Sequence, residues 1–144
     1  MFSGKDKSSN THYDTLISSK TEIEGNVRFS GGLHVDGVIK GNLLAEAGSG
    51  AVVRISDQAR VEGEIRAPNI IVNGPVEGDI HAGEYIELAK HAQITGDVYY
   101  NMMEMVLGAS VNGQLHHVTA SKTGGKTDKP VKKAPAAKET DKVD

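Results

Sequence analysis

The sequence predicts an all-β fold: a chain wound into a single parallel β-helix, a β-solenoid of about six turns, between two disordered tails. Three observations carry this prediction. A five-residue figure, aliphatic–x–Gly–x–aliphatic, occurs eight times. Followed once per turn, its glycines return every 15 to 22 residues, about 17 or 18 on average. Around each figure the apolar residues alternate with period 2, the mark of a strand with one buried face, rather than with the 3.6 of a helix.

Composition sets the limits. The chain has 144 residues, enough for one modest domain plus tails. Apolar residues make up 38% and aromatics only 4%, with no Trp, so the core must be built from Val, Ile, Leu and Ala. Cys is absent, which excludes disulfides and thiolate metal sites and fits a cytoplasmic protein. No apolar run exceeds three residues, so neither a transmembrane helix nor a signal-peptide core is expected. Residues 16–121 hold 7 basic and 13 acidic side chains, whereas residues 122–144 hold 7 Lys and 4 acids. An acidic body lacks the basic face that phosphate binding needs, which argues against nucleic acid as the main partner.

The elements follow in chain order. Residues 1–15 begin "MFSGKDKSSNTHYD", polar and aperiodic, and are expected to form a disordered N-terminal tail. Residues 16–118 are the expected solenoid. They carry "IEGNV" at 23–27, "VDGVI" at 35–39, "IKGNL" at 39–43, "VEGEI" at 61–65, "VNGPV" at 72–76, "VEGDI" at 76–80, "ITGDV" at 94–98 and "VNGQL" at 111–115. The double figure "VDGVIKGNL" returns 37 residues later as "VNGPVEGDI". Strands of four to six residues, three short faces to a turn, account for the repeat length. At ~4.8 Å per turn the rod is roughly 29 Å long. In Val72-Asn73-Gly74-Pro75-Val76 the valines stack on equivalents above and below. Gly74 stands where the wall bends, and a side chain there would collide or require positive φ. Pro75 suits a corner because it cannot donate a ladder hydrogen bond. Glu62, Glu64, Glu77 and Asp79 point to solvent. Residues 119–144, ending "GGKTDKPVKKAPAAKETDKVD", have too little apolar surface to offset ordering entropy and form the second disordered tail.

With its reiterated V-x-G-x-I units, a body of about 100 residues, two polar flanks and the start "MFSGKDK", the chain resembles the bactofilins. The resemblance covers roughly residues 1–120. It implies a right-handed parallel β-helix of triangular section that polymerises end to end without nucleotide or metal. It also implies a bacterial cytoskeletal scaffold, peripheral at the inner face of the cytoplasmic membrane. Such a scaffold localises cell-wall or polarity proteins and influences cell shape. No cofactor and no enzymatic activity are implied.

The residues offer a physical route to assembly. A solenoid has two ends, each with unpaired backbone groups and an apolar cross-section. Neither flank supplies an amphipathic helix to cover them. The expected self-assembly residues are Leu16, Ile17 and Ile23 at one end and Met103, Met105, Leu107, Val111 and Leu115 at the other. A junction burying ~600 Å² of apolar surface would gain roughly 15 kcal/mol, against an association cost of ~4–15 kcal/mol. Met1 and Phe2, with Lys5 and Lys7, are the expected membrane contact, weak singly and strengthened by display along a filament. Lys129, Lys132, Lys133 and Lys138 form a basic docking segment or a solubilising linker.

Other readings compete. His12, His34, His81, His91, His116 and His117 form no H-x-x-x-H or H-E-x-x-H pair, and the adjacent His116 and His117 would point to opposite sides of a strand. A three-histidine site between subunits, of the kind seen in solenoid carbonic anhydrases, is the weaker alternative. The sharper rival is an acyltransferase of the hexapeptide-repeat kind, with His34, His81 or His91 as general base. Period six holds locally at Ile23, Phe29 and Val35 and at Ile80, Ile86, Ala92 and Val98. Against it, the repeat drifts to Gly-centred fives and no long loop shapes a cleft. A monomeric binding module with a flat β face is the third reading.

Overall fold

The computed structural model describes residues 13–118. Both predicted tails lie almost wholly outside these residues, with Met1, Phe2, Lys5, Lys7, His12, Lys129, Lys132, Lys133 and Lys138. Among the described residues there is no helix, and the strands are β1 (Thr15–Ile17), β2 (Glu22–Glu24), β3 (Val27–Phe29), β4 (Gly32–Val35), β5 (Val38–Lys40), β6 (Leu43–Ala45), β7 (Val52–Ile55), β8 (Arg60–Glu62), β9 (Ile65–Val72), β10 (Pro75–Glu77), β11 (Ile80–Leu88), β12 (Gln93–Thr95), β13 (Val98–Met105), β14 (Ser110–Asn112) and β15 (Leu115–His117). All pair in parallel, each with the strand one turn before or after it.

The result is a solenoid of about six turns with three walls. The first wall is the six-stranded sheet β2-β5-β8-β10-β12-β14. The second stacks β3, β6, the opening residues of β9, β11 and β13, and β15. The third stacks β1, β4, β7 and the closing residues of β9, β11 and β13. Most strands are shorter than expected, at three or four residues, while β9, β11 and β13 run for eight or nine. In these three the second and third walls join without a break. The bend in β11 is taken up by a register shift between Ala82 and Tyr85, a bulge that turns the strand while keeping the ladder on either side.

The core is a pile of aliphatic layers. Ile39, Val61, Val76 and Ile94 form a column on the first wall, each paired with the next. Leu43, Ile65, Ile80 and Val98 do so on the second, and Val35, Ile55, Val72 and Leu88 on the third. All twelve are fully buried. Alternation along each strand puts polar residues on the outside at the same step.

One corner explains the repeated figure. Gly25, Gly41, Gly63, Gly78, Gly96 and Gly113 stack where the first wall turns into the second. A Cβ added at any of the last five would lie 2.0–2.4 Å from the carbonyl oxygen of the glycine one turn earlier. Each of the first five donates its amide to the following turn, as Gly78 does to Thr95 at 2.9 Å. The next position adds a side-chain ladder. Asn26 Oδ1 accepts from the Asn42 amide, Asn42 Oδ1 from Glu64, Asp79 Oδ1 from Asp97, and Asp97 Oδ1 from Gln114. The longest step, from Gly41 to Gly63, contains a small outward loop at 46–50, closed by the Ser49 amide and hydroxyl donating to the Glu46 carbonyl.

At the opposite corner Gly74 meets the expected close approach, because a Cβ there would lie 2.3 Å from the Ser56 carbonyl oxygen. Its backbone is not in the positive-φ region, so lack of space alone demands glycine. Pro75 opens β10. The equivalent amides of Arg60 and Gln93 donate to the previous turn, whereas pairing of β10 with β8 starts only at Val76.

The column makes a direct prediction. Gly78→Ala places a methyl 2.2 Å from the Gly63 carbonyl oxygen at a φ of +150°, so the turns must separate. The expected loss is ~2–4 kcal/mol in urea unfolding. Gly83→Ala, whose nearest neighbour is Pro68 Cα at 3.8 Å, should change stability by less than ~0.5 kcal/mol.

Candidate assembly ends and outer walls

The register that buries the middle layers leaves both terminal layers open. At the C-terminal end, β14, β15 and residues 102–105 of β13 have no further turn above them among the described residues. Their inward side chains are Met103 and Met105, which continue the columns of Ile86 and Leu88, Val111 above Ile94, and Leu115 above Val98. Buried equivalents one turn earlier are fully covered, whereas Met105 is 47% and Leu115 45% exposed. Met103 and Val111 are half-buried. The backbone is open as well. The amides equivalent to Gly113 and Leu115 donate to the following turn throughout the stack, as Gly96 does to Asn112 and Val98 to Gln114. For Gly113 and Leu115 themselves the described residues contain no following turn.

The N-terminal end is formed by β1, β2 and β3. Ile17 and Ile23 lie inward, with Val27 and Phe29 beside them, and three of these four are only partly covered. Leu16 differs. It precedes the inward Ile17 in the same strand, so its side chain points out, aligned with His34, and is 63% exposed. Leu107 is also outside the section. It lies in the turn between β13 and β14 and is 92% exposed, at the rim of the C-terminal end. Ile17, Ile23, Met103, Met105, Val111 and Leu115 are thus gathered on the two end sections, while Leu16 and Leu107 edge them. Val27, Phe29 and His117 also lie inward at the ends, and sequence reasoning passed over them. Their signal was available: each stands two or four residues after a column glycine, as Leu43, Ala45, Ile80 and Ala82 do in the interior.

The outer walls are polar and largely self-paired. Arg60 donates Nε to Glu62 at 2.8 Å and also reaches Glu77 one turn on, while Lys40 pairs with Glu22 at 3.4 Å. The Arg60 guanidinium holds the Glu62 carboxyl below its ordinary value. Glu62, Glu64 and Glu77 therefore point outward as expected but are paired, Glu62 with Arg60 of its own strand and Glu77 with Arg60 of the turn before. Glu64 joins Arg66 at 3.0 Å and His81 Nε2 at 2.8 Å. His81, Tyr99 and His116 form an outward column of near-parallel rings, with centroids 4.5 Å apart at each step. Burial is the main cause of both shifts here: it lowers the His81 pKa and raises that of Tyr99. His34 pairs with Asp36 at 3.0 Å and His116 with Asp97 at 3.3 Å. His117 turns to the opposite side of the strand from His116 and meets Tyr100 at 5.5 Å. The His91 amide donates to Asn73 Oδ1 in a corner turn. Among the described residues no cluster of three potential ligands could hold a metal ion.

Comparison with known proteins agrees with this geometry. A family profile described as "Bactofilin: Polymer-forming cytoskeletal" matches residues 15–116. The chain is 26% identical over 102 residues to bactofilin BacO of Myxococcus xanthus, covering 71% of this chain and 78% of that one. It is 27% identical over 116 residues to BacP of the same organism, covering 80% of this chain and 47%, about half, of the relative. Among solved structures it is similar to the cryo-EM reconstruction of Thermus thermophilus bactofilin double helical filaments, with a TM-score of 0.61 and 27% identity over 73% of this chain and 98% of that one. A stacked glycine corner, open aliphatic ends and a match spanning the whole solenoid together place the chain in the bactofilin family of polymer-forming cytoskeletal proteins.

Proposed function

We propose that this protein is the subunit of a cytoskeletal filament that grows by end-to-end contact of solenoids, without nucleotide or metal. The observation that carries the proposal is the pair of open terminal layers, aliphatic inside and short of one turn of backbone partners. Covering Met103, Met105, Val111 and Leu115 with another subunit removes apolar surface from water and gives the edge amides acceptors. The double helical filaments of the Thermus relative support the reading.

The filament acts as a scaffold, peripheral at the inner face of the cytoplasmic membrane, that localises cell-wall or polarity proteins and so influences cell shape. Met1, Phe2, Lys5 and Lys7 would supply a weak membrane contact multiplied along the filament. Lys129, Lys132, Lys133 and Lys138 would supply a basic docking segment. A scaffold accounts for the histidines better than acyl transfer does. His34 and His81, two of the candidate bases, are tied to Asp36 and Glu64 on flat outer walls, and the largest loop nearby spans only 46–50.

Val111→Arg and Leu115→Arg test the proposal. A charge held in an apolar junction costs roughly 3–5 kcal/mol, enough to weaken association by about two to four orders of magnitude. The variants should stay folded by circular dichroism and remain as short soluble species in sedimentation at micromolar concentrations, where the parent chain forms filaments. Filaments of parental length from both variants would show that the terminal layers are not the junction.

A further inference from the structure

The outer face of the third wall is built differently from the other two. One outward column carries Leu16, His34, Arg54, Ile71, Glu87 and Glu104 on successive turns. Beside it, two residues earlier in each strand, stand Val52, Asn69, Tyr85 and Met102. Val52, Ile71 and Tyr85 are half-buried and Met102 is 59% exposed, so apolar groups recur along a face turned to solvent. The charges are sorted by height. Arg54 lies one turn before Ile71, whereas Glu87 and Glu104 lie one and two turns after it. On the other walls Arg60, Lys40 and Arg66 pair with carboxylates of their own subunit. Among the described residues Arg54 and Glu87 form no ion pair. The Asp36 carboxyl is held below its ordinary value first by a hydrogen bond from Ser56 and then by His34, with Arg54 adding less.

We propose that the outer face of the third wall pairs with the same face of a second copy, the two solenoid axes antiparallel and Ile71 at the two-fold axis. A two-fold lying along the strands reverses height and leaves each column opposite itself, so that every contact is made twice. Ile71 then meets the partner's Ile71, Arg54 meets the partner's Glu87, and Glu87 meets the partner's Arg54. In the neighbouring column Val52 and Tyr85 exchange in the same way. One row further out His34 faces Glu104. Those two already have company, His34 in Asp36 and the edge of the Tyr13 ring, Glu104 in the Tyr85 hydroxyl. The Arg54–Glu87 pair therefore sets the orientation. Parallel axes would put Arg54 against Val52 and Glu87 against Tyr85, covering both charges without partners, which is costly. The proposal rests on the end-to-end reading above, because the face is small. About six turns at ~4.8 Å, by about four residues at ~3.3 Å, make roughly 400 Å². A pair buries roughly 800 Å², below the ~1,200 Å² of a stable complex. Two single subunits separate readily, whereas two filaments repeat the contact at every subunit and stay together.

The test exchanges the two charges in the full chain and reads filament width and length by negative-stain electron microscopy, with the fold checked by circular dichroism. Parent filaments should be two solenoids wide. Arg54→Glu alone and Glu87→Arg alone each set like charges opposite one another, and each should leave filaments of parental length that are one solenoid wide. The variant carrying both Arg54→Glu and Glu87→Arg restores opposite charges across the two-fold and should restore the parental width. Single variants that keep the parental width overturn the proposal, as does a double variant that stays one solenoid wide, and either result leaves end-to-end assembly standing. Parent filaments one solenoid wide overturn it too, and give the face to the terminal segments or to another partner. A parent chain that forms no filament overturns the end-to-end reading itself.

Discussion

The constraint on which this structure depends is the pitch of the parallel ladder. Each turn lies ~4.8 Å above the last, so every residue is stacked on its own equivalents. No side chain can exceed the space that this pitch leaves at its position. On the straight walls that space suits Val, Ile and Leu, which interlock in columns. At the first corner it suits nothing beyond hydrogen, because the carbonyl oxygen of the turn below already occupies it. The glycine column is therefore a packing requirement before it is a conformational one. The amide side chains that follow it extend the same logic to polar groups: Asn42 accepts from the turn above while its own amide is served from the turn below.

The pitch also gives the ends their character. In the interior, a turn offers its neighbour an aliphatic layer and a row of donors and acceptors, and it receives the same. A terminal turn makes the same offer to whatever comes next. Adding a turn of the same chain and adding a turn of another subunit draw on the same interactions, which is why a solenoid with uncovered ends tends to become a polymer. On the proposed end-to-end reading, burial of the exposed Met105 and Leu115 would favour association without energy from a nucleotide. The paired first and second outer walls suit surfaces that remain in water: Arg60, Lys40 and Arg66 each engage carboxylates locally.

Much of this was legible in the residues, and the reason is repetition. The figure beginning at Val76 marks its own inward residues, Val76 and Ile80, and its corner, Gly78. Six of the eight occurrences mark the first wall and the start of the second, and the two at 35–39 and 72–76 mark the end of the third wall and the start of the first. The third wall is touched only at its end by those two figures and was otherwise visible only as alternation in stretches such as Ile86–Leu88. Three features were hidden. The merging of two walls in β9, β11 and β13 leaves no mark, because alternation does not show where a strand bends. The parity of Leu16 and Ile17 was ambiguous, since both are aliphatic and no column glycine precedes them. The stack of His81, Tyr99 and His116 joins residues 18 and 17 apart, and becomes apparent only when the turn length at that height is known. The end residues Val27, Phe29 and His117 were passed over for a different reason: they belong to columns, and columns were sought in the middle of the chain.

The most direct measurement of the central claim is amide hydrogen exchange, residue by residue, on dispersed subunits and on assembled filaments. The amides of Gly113 and Leu115 point to a turn that the described chain does not contain, whereas those of Gly78 and Ile80 are already bonded within the subunit. The account predicts fast exchange at Gly113 and Leu115 in the dispersed protein and strong slowing on assembly, with Gly78 and Ile80 protected in both. Filaments in which Gly113 and Leu115 exchange as fast as in free subunits would show that the chains are joined elsewhere, and would contradict it.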